Sequence, residues 1–189
     1  MRRANDNDRQ SAVDILAESF TDNKSVNYVV RQGRQRGERI RRLMEYSFDV
    51  CNTFGEVWIS DNGEACALIL LPDKKTVSIR TLLWDVKLAT TVIGLRRIQA
   101  VMDRERKIKS FHPHEPICYL WFIGVNPNYQ HKGIGSDFIQ EVIKECEHKK
   151  RPIYLETSVV QNLSWYQKFG FEIFQTLDLS YTLYLLRRL

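Results

Sequence analysis

Apolar side chains recur at helical spacing in three parts of the chain. After a start rich in Asn and Asp, the first set predicts a helix over about residues 8 to 21, and its members are Val13, Leu16, Ala17 and Phe20. A second helix follows an arginine-rich stretch and carries Ile40, Leu43, Met44 and Cys51 on one face. From Val77 to about Lys109 the spacing is helical again, and Gly94 predicts a bend in that segment.

Runs typical of β-strands stand between and after these helices. Two of them, EVWI and EACALILLP, flank Asp61-Asn62-Gly63, and Asn-Gly provides the positive φ angles of a tight hairpin. The run PICYLWFIGV is almost continuously apolar, which predicts a central strand covered on both faces. It is followed by a helix from Gly133 to His148 and the strand PIYLET. A short helix around Leu163 to Phe169 comes next and ends at Gly170. The strands FEIFQTL and SYTLYLLRR are the last predicted elements.

This order of elements predicts one mixed α/β domain over residues 1–189, with helices packed on a sheet. No internal repeat and no long linker divides the chain. Residues 77–112 form a helical insertion before the central strand in this prediction.

The composition is that of an ordinary globular protein, with 189 residues, 43% apolar and 27% charged. No run approaches the roughly 20 apolar residues of a membrane span. The first ten residues, MRRANDNDRQ, contain no apolar segment of a secretory signal. We therefore expect a cytoplasmic protein with no membrane partner.

The cysteines lie in apolar segments and form no C-x-x-C pair, so we expect small buried side chains at Cys51, Cys66, Cys118 and Cys146. A grouping of His112, His114 and Cys118 matches no zinc spacing, and we expect no metal.

The net charge of +5 is concentrated in RQGRQRGERIRR, Arg31 to Arg42. Either a solvated loop and helix start or an anion-binding patch agrees with this run. No aromatic residues interleave with the arginines, so we expect no nucleic-acid partner.

The polar turn NPNYQHKGIGSDF connects the central strand to a helix. A helix that begins there presents unpaired backbone N–H groups and the positive end of its dipole, which together suit a phosphate group. Glycine at 133 and 135 would let the backbone approach a bulky anion, and His131 and Lys132 would add positive charge at the rim. An ordinary tight connection explains two glycines equally well.

Two common phosphate motifs do not fit this turn. Lys132 precedes both glycines instead of following them, which excludes the Walker pattern. Phe138 stands where the dinucleotide fingerprint needs a third glycine or alanine.

The turn does match Q/R-x-x-G-x-G/A, as Gln130-His131-Lys132-Gly133-Ile134-Gly135, and Gly124-Val125-Asn126-Pro127 precede it. The downstream run NLSWYQKFGF supplies an Asn, a Tyr and a Gly-Phe pair. In this order, on strand–helix–strand–helix, both blocks resemble the GNAT N-acetyltransferase superfamily. Within it, the motifs are most similar to puromycin N-acetyltransferase and its small-molecule-acetylating relatives.

The resemblance implies a GNAT-like acyl-CoA acyltransferase fold, with a central, mostly antiparallel, twisted sheet flanked by helices. It implies acetyl-CoA as co-substrate, with backbone groups of Ile123, Gly124 and Val125 along the pantetheine arm. A backbone N–H near Ile123 would stabilise the oxyanion. The residues expected to wrap the pyrophosphate are Gln130, His131, Lys132, Gly133, Ile134, Gly135 and Ser136.

Tyr166 is the expected general acid, because a phenol keeps its proton near neutral pH and can give it to a nearby thiolate. The alternative is that Tyr166 only packs its helix. Asn162 would cap that helix, bind the pantetheine arm, or do both.

Glu156 is the expected base, because a carboxylate at the end of the apolar strand PIYLE is out of place unless it is paired or functional. A structural salt bridge is the competing interpretation. His114 and Glu115 are reserve candidates, whereas His112 is expected to be a loop residue. Cys118 lies mid-strand facing the core, which argues against covalent catalysis.

The predicted function is therefore acetyl transfer to a primary amine of a small molecule by an acyltransferase. The resemblance implies that the acceptor cleft lies between the first two helices and the segment before the central strand. The insertion with Trp84 and the arginine-rich stretch would shape its walls, and aromatic residues there would favour a planar or apolar amine. Acetylation of a protein N-terminus or lysine, and a non-catalytic acyl-CoA-binding module, are the alternatives. The sequence is also compatible with a homodimer.

Overall fold

The computed structural model describes all 189 residues. The α-helices span Arg9–Ser19 (α1), Lys24–Val29 (α2), Arg36–Phe54 (α3), Ile79–Leu88 (α4), Ile98–Lys109 (α5), Ile134–His148 (α6) and Gln161–Lys168 (α7). The strands span Arg2–Arg3 (β1), Gly55–Ile59 (β2), Ala65–Leu70 (β3), Cys118–Val125 (β4), Ile153–Thr157 (β5), Glu172–Asp178 (β6) and Thr182–Arg188 (β7). None of the helices is both long enough and apolar enough to cross a membrane.

The strands form one sheet in the order β1-β2-β3-β4-β5-β7-β6. Every neighbouring pair is antiparallel except β4 and β5, which are parallel. The predicted mostly antiparallel sheet and the central position of the strand CYLWFIGV are therefore confirmed. Asp61-Asn62-Gly63 lies in the turn from β2 to β3, which confirms the hairpin. Of the two residues expected to have a positive φ, only Gly63 has one, at 70°.

Apolar side chains pack on both faces of the sheet. One core joins α1, α2 and α3 to β2 and β3, and its largest buried side chains include Leu16, Met44 and Phe48. The other core joins α6, β5 and part of α7, around Ile139 and Ile153. All four cysteines are buried and free, as predicted.

A bulge interrupts the pairing of β3 with β4. Leu68 pairs with Phe122, whereas the next residue, Ile69, pairs with Leu120, so that Trp121 has no partner. A bulge turns two consecutive side chains to the same face of a sheet. Trp121 and Phe122 accordingly pack together on the α1–α3 side, with ring centroids 5.7 Å apart.

The parallel strands β4 and β5 separate after a short contact. Their pairing covers only Cys118 with Ile153 and Tyr119 with Tyr154, although β4 continues to Val125 and β5 to Thr157. The edge of β4 beyond Tyr119 is therefore unpaired on the β5 side. Such an edge can accept an extended ligand as an added strand.

Two helices, α4 and α5, stand between β3 and β4, where the helical insertion was predicted. A π-helical turn, Ala89–Ile93, ends α4, and Gly94 then reverses the chain with a φ of 82°. A hydrogen bond of 2.7 Å from Tyr46 to Asp85 fixes α4 to α3.

The arginine-rich stretch is a loop and helix start whose side chains are largely used inside the protein. Arg36 donates to the carbonyl oxygen of Thr21 at 2.8 Å, and the buried Arg39 donates to that of Arg31 at 2.8 Å. Arg42 pairs with Glu38 one turn away. These contacts favour the structural interpretation of the stretch over an anion-binding patch.

Candidate active site

The turn after β4 places a row of backbone donors at the start of α6. The N–H groups of Ser136 and Asp137 donate to the carbonyl oxygen of Gly133, at 2.8 and 3.1 Å. The N–H groups of the five preceding residues have no acceptor in the protein, and these residues are His131, Lys132, Gly133, Ile134 and Gly135. The turn thus leaves five consecutive donors free beside the positive end of a 15-residue helix.

The backbone of this turn is left-handed at two alternate residues. His131 has a φ of 63° and Gly133 a φ of 85°. Alternation of right- and left-handed residues points successive N–H groups into one concavity, which is a common anion-binding arrangement. Glycine tolerates this conformation at 133, whereas an alanine there would be strained.

Contacts to β4 and α7 hold the turn in place. Gln130 Nε2 donates to the carbonyl oxygen of Val125 at 3.1 Å, and Trp165 Nε1 donates to Ser136 Oγ at 3.1 Å. A side chain at Gly135 would begin 3.4 Å from Val125 and would fill the space between strand and helix. Gln130 therefore fixes the loop to the strand rather than pointing into the row of donors.

The side chains of His131 and Lys132 are exposed at the rim of the turn, as expected for groups that add positive charge there. The Lys132 ammonium lies 4.9 Å from the centre of the Tyr129 ring and donates to the carbonyl oxygen of Asn128 at 3.3 Å.

The free edge of β4 adjoins this turn. The N–H of Asn126 donates to the carbonyl oxygen of Glu64, on the β3 side. Because backbone groups of alternate residues point to opposite edges of a strand, those of Ile123 and Val125 face the gap between β4 and β5. Gly124 lies against α1, where an added side chain would begin 3.1 Å from Ser19 Oγ.

Tyr166 extends from α7 into the apolar core that it shares with α6 and β5. Its ring contacts Trp165 and Phe171, with centroids 4.8 and 5.5 Å away, and the residue is buried. Its hydroxyl makes no hydrogen bond within the protein, and it is not sealed from solvent. Burial raises the pKa of Tyr166 above its usual value, so the phenol keeps its proton.

Asn162 is an exposed residue inside α7. The residue that caps this helix is Val160, and the N–H of Asn162 itself donates to Val159. The predicted role of Asn162 as N-cap is therefore wrong, because the helix begins at Gln161. Its side chain forms no contact that prevents it from binding a ligand.

Glu156 is held by two neighbours at the end of β5. Tyr119 donates a hydrogen bond of 2.5 Å to Glu156 Oε2, and His112 Nε2 lies 3.2 Å from Oε1. The Glu156 side chain is only 8% exposed. Burial, followed by the charge of Glu156, raises the pKa of Tyr119 well above its usual value, so that Tyr119 remains a donor.

The reserve bases lie elsewhere. His114 and Glu115 are exposed in the loop before β4, and neither contacts Glu156. His112 belongs to the same loop, as expected, but its ring packs against Tyr119 and Tyr154, with centroids 5.2 and 5.7 Å away. The sequence contained no periodic signal for this contact, which depends on how the loop folds back over β5.

Glu156 forms part of the wall of a cleft between α1–α3, the sheet and the insertion. The cavity has a volume of about 210 Å³. Its aromatic side is formed by Phe20, Tyr46, Tyr119, Trp121 and Phe122, and its polar side includes Ser25, Glu105 and Ser158. A small molecule with one apolar and one polar end fits such a lining.

Arg104 closes the cleft on the side of the insertion. This buried residue donates from Nε to the hydroxyl of Tyr181 at 3.0 Å and also bonds to Ser25 and Glu105. Burial would lower the pKa of Arg104, but Glu105 and Tyr181 outweigh it and raise the pKa. The guanidinium thus stays charged and connects α5 to α2.

Of the two predicted wall elements, the insertion lines this cleft, although not through Trp84, and the arginine-rich stretch does not. Trp84 faces a smaller groove beside Arg9 and Asp49, and the arginine-rich stretch contributes no side chain to the cleft. Insertion residues do line it, but they are Leu88, Ile93, Val101, Arg104, Glu105 and Lys109. The helical period alone does not say which apolar face of α4 turns inward, and this explains the error.

The sheet, the gap between β4 and β5, and the donor turn define the architecture of an acyl-CoA acyltransferase. The family model of the GNAT acetyltransferase family matches residues 78–171, which contain the turn and Tyr166. The chain belongs to this family.

Similar proteins agree with this assignment. An uncharacterised N-acetyltransferase of Schizosaccharomyces pombe is 29% identical over 103 residues, which cover 46% of this chain and 42% of the relative. The match therefore spans less than half the length of that relative.

Solved structures share the fold over nearly the whole chain. A Corynebacterium glutamicum protein described as histone acetyltransferase HPA2 and related acetyltransferase has a TM-score of 0.71 at 19% identity, covering 99% of this chain and 93% of its own. The C-terminal condensation domain of Ebony has a TM-score of 0.72 at 10% identity, covering 99% and 96%. At these identities the likeness concerns the fold alone.

Proposed function

We propose that this protein is an acetyl-CoA-dependent N-acetyltransferase that acts on the primary amine of a small molecule. The row of free N–H groups from His131 to Gly135, beside the free edge of β4, is the observation that carries the proposal. A diphosphate fits that row, and an extended pantetheine arm fits the backbone of Ile123 and the N–H of Val125, whose carbonyl oxygen already accepts from Gln130 and Ser19. Acetyl-CoA supplies the thioester-bound acetyl group.

The side chains around the cleft and the gap have complementary tasks in this proposal. Glu156, oriented by Tyr119 and His112, takes a proton from the acceptor ammonium and so leaves a nucleophilic amine. A backbone N–H near Ile123 stabilises the oxyanion that develops on the acetyl carbonyl. The amine forms the C–N bond and the C–S bond breaks, and Tyr166, whose hydroxyl is unpartnered and neutral, gives its proton to the departing thiolate. The acceptor nitrogen releases its second proton to solvent, and the tyrosinate takes a proton from solvent.

The walls of the cleft support a small acceptor. Arg104 joins the insertion to α2 and to the loop between β6 and β7, and Asp85 joins it to Tyr46 on α3. These contacts hold the insertion against the cleft and so support a bounded pocket. The aromatic side favours an amine with an apolar or planar body.

Thermal denaturation with acetyl-CoA, followed by release of free thiol against a panel of amines and short peptides, tests the proposal. Binding to the folded state should stabilise the protein by about 2.7 kcal/mol at a hundredfold excess over Kd. Thiol release should be fastest with small apolar amines. An absence of stabilisation would contradict the acetyl-CoA site, and stabilisation without thiol release for any amine would indicate a binding module instead.

A further inference from the structure

Helix α4 has an apolar face that nothing in the protein covers. Ile79, Leu82, Leu83 and Val86 follow the spacing of one helical face, and each is between 52% and 81% exposed. Val77, just before the helix, is 93% exposed. Single exposed apolar residues are ordinary, but five clustered on one short segment mark an interaction surface.

The opposite face of the same helix is already used. Trp84 and Leu88 pack on the core formed with α3, and Thr81 is buried. A helix that is apolar on both faces is normally buried on both. We therefore expect the outer face of α4 to bind a partner outside the chain.

Exposed cations stand on α4 and in the segment just before it. Lys74, Lys75, Arg80 and Lys87 are all exposed. Arg80 and Lys87 lie on the same flank of the helix, and the Arg80 guanidinium stacks over Trp84 at 4.8 Å. The one carboxylate between residues 74 and 88 is Asp85, which is occupied by the hydroxyl of Tyr46. The surface therefore presents aliphatic side chains in a basic field.

We propose that this face docks on an anionic phospholipid surface, with the aliphatic side chains inserted at the interface and the cations among the headgroups. Helices that lie in a membrane interface have one strongly apolar face and carry Lys and Arg on their polar face. Each such cation near an anionic bilayer adds about 1 kcal/mol of attraction, roughly a fivefold gain in affinity.

A bilayer fits these residues better than a protein does. Protein interfaces are enriched in aromatic residues, Met and Arg and depleted in Lys, whereas this face has aliphatic side chains, an exposed lysine on its flank and two more just before the helix. A second copy of the chain would bring the same cations against one another, and the chain already has a net charge of +5.

This inference departs from the expectation, drawn from composition, that no membrane partner exists. Peripheral docking needs no spanning segment, and overall composition does not show which apolar residues fold to the outside. The opposite side of the same insertion lines the cleft, through Leu88 of α4 and several residues of α5.

Co-sedimentation with vesicles tests the docking. The full chain should bind vesicles of one third phosphatidylserine and two thirds phosphatidylcholine, release them at about 0.5 M salt, and bind pure phosphatidylcholine weakly. The double variant Leu82→Ser/Leu83→Ser should lose at least about tenfold in binding. Leu189→Ser, at another exposed apolar residue, should bind like the wild type.

A second pair of variants separates local from overall charge. Arg80→Glu/Lys87→Glu should lose more than about 25-fold, by about fivefold for each cation removed. Lys144→Glu/Lys168→Glu makes the same change of net charge at exposed residues of α6 and α7 and should lose much less. Circular dichroism and melting temperature check that all variants fold.

Three results would overturn the proposal. The first is equal binding of the wild type to anionic and neutral vesicles, or none to either. The second is equal loss in both charge-reversal pairs. The third is a dimer of the wild type in light scattering that Leu82→Ser/Leu83→Ser converts to a monomer, since a second copy would then cover the face.

Discussion

Tyr119 and Glu156 are joined by a hydrogen bond of 2.5 Å from the phenol hydroxyl to Oε2, on the wall of the cleft. The two residues lie on neighbouring parallel strands, β4 and β5, just where their pairing ends. The second oxygen of Glu156 faces His112. A carboxylate fixed in this way has a defined orientation toward a ligand in the cleft, which is what a general base requires.

Replacement of this carboxylate should remove the base while preserving the site. We expect Glu156→Gln to lower kcat by about 10²- to 10⁴-fold, because the amide can still accept from Tyr119 but cannot take a proton. Acetyl-CoA affinity, measured by calorimetry, should not change. Glu115→Gln alters an exposed carboxylate of the preceding loop and should leave kcat unchanged. Wild-type turnover in Glu156→Gln would assign Glu156 a purely structural role.

Tyr166→Phe should remove the general acid with little effect on packing. The hydroxyl makes no hydrogen bond in the protein, so its loss should cost little stability. Turnover should fall by about 10²-fold or more while coenzyme A still binds. Phe171→Leu changes a ring that contacts Tyr166 and serves as a packing control.

The pH dependence of kcat reports on the protonation of Tyr166. Because burial raises that pKa, ionisation of this phenol should not lower kcat below about pH 10. Unchanged turnover in Tyr166→Phe would show that the residue only packs its helix.

Glu56 is expected to stabilise the fold away from the site. Its Oε2 accepts from Lys149 and from Trp58 Nε1, each at 3.0 Å, and Arg3 pairs with its other oxygen. Burial alone would raise the pKa of Glu56, but Lys149 and the other donors outweigh it and lower the pKa. We expect Glu56→Gln to reduce the free energy of unfolding by about 1–3 kcal/mol.

The pH dependence of that contribution follows from the sign of the shift. A carboxyl whose folded pKa is lowered stabilises fully above its unfolded pKa, about 4.3 for Glu. The contribution is lost as the pH falls below that value through the folded pKa. Urea titrations at neutral pH and at low pH should therefore show a Glu56→Gln penalty that shrinks with acid. Glu172→Gln, in an exposed pair with Arg187, should cost less than about 1 kcal/mol at either pH.

Gly133 and Gly63 form a matched pair for the donor turn. Both have positive φ angles, 85° and 70°, and an added side chain would meet no atom within 4 Å at either position. Alanine should therefore cost both variants a similar amount of stability, about 1 kcal/mol. Only Gly133→Ala should weaken acetyl-CoA binding, because relief of the strain rotates the amides of the turn. Equal Kd values in the two variants would argue against the turn as the binding site.

The elements that could be predicted from the sequence are those whose signals are local. Asn62-Gly63 set the hairpin, and the run from Cys118 to Val125, followed by Gly133 and Gly135, set the strand–turn–helix. Each depends on periodicity or on backbone angles that a few neighbouring residues determine. The family was then inferred from the resemblance of two motifs, Gln130 to Gly135 and Asn162 to Phe171.

The rest depends on tertiary contacts that no local pattern encodes. The bulge at Trp121 arises from the register between β3 and β4, and the contact of His112 with Glu156 from the path of a loop. Residue type alone favoured Asn162 as a cap, but the chain begins α7 after Val160. Trp84 faces the groove beside Arg9 and Asp49 rather than the cleft, and the helical period could not show this because both faces of α4 are apolar.

The central claim is that the free amides of the turn bind the diphosphate of acetyl-CoA. An amide ¹H–¹⁵N correlation spectrum, recorded while coenzyme A is added to the labelled protein, tests it most directly. The account predicts that the cross-peaks of His131, Lys132, Gly133, Ile134 and Gly135 shift together and saturably, as expected for N–H groups that gain an anionic acceptor. If the ligand binds and shifts other amides while these five stay in place, the claim is contradicted.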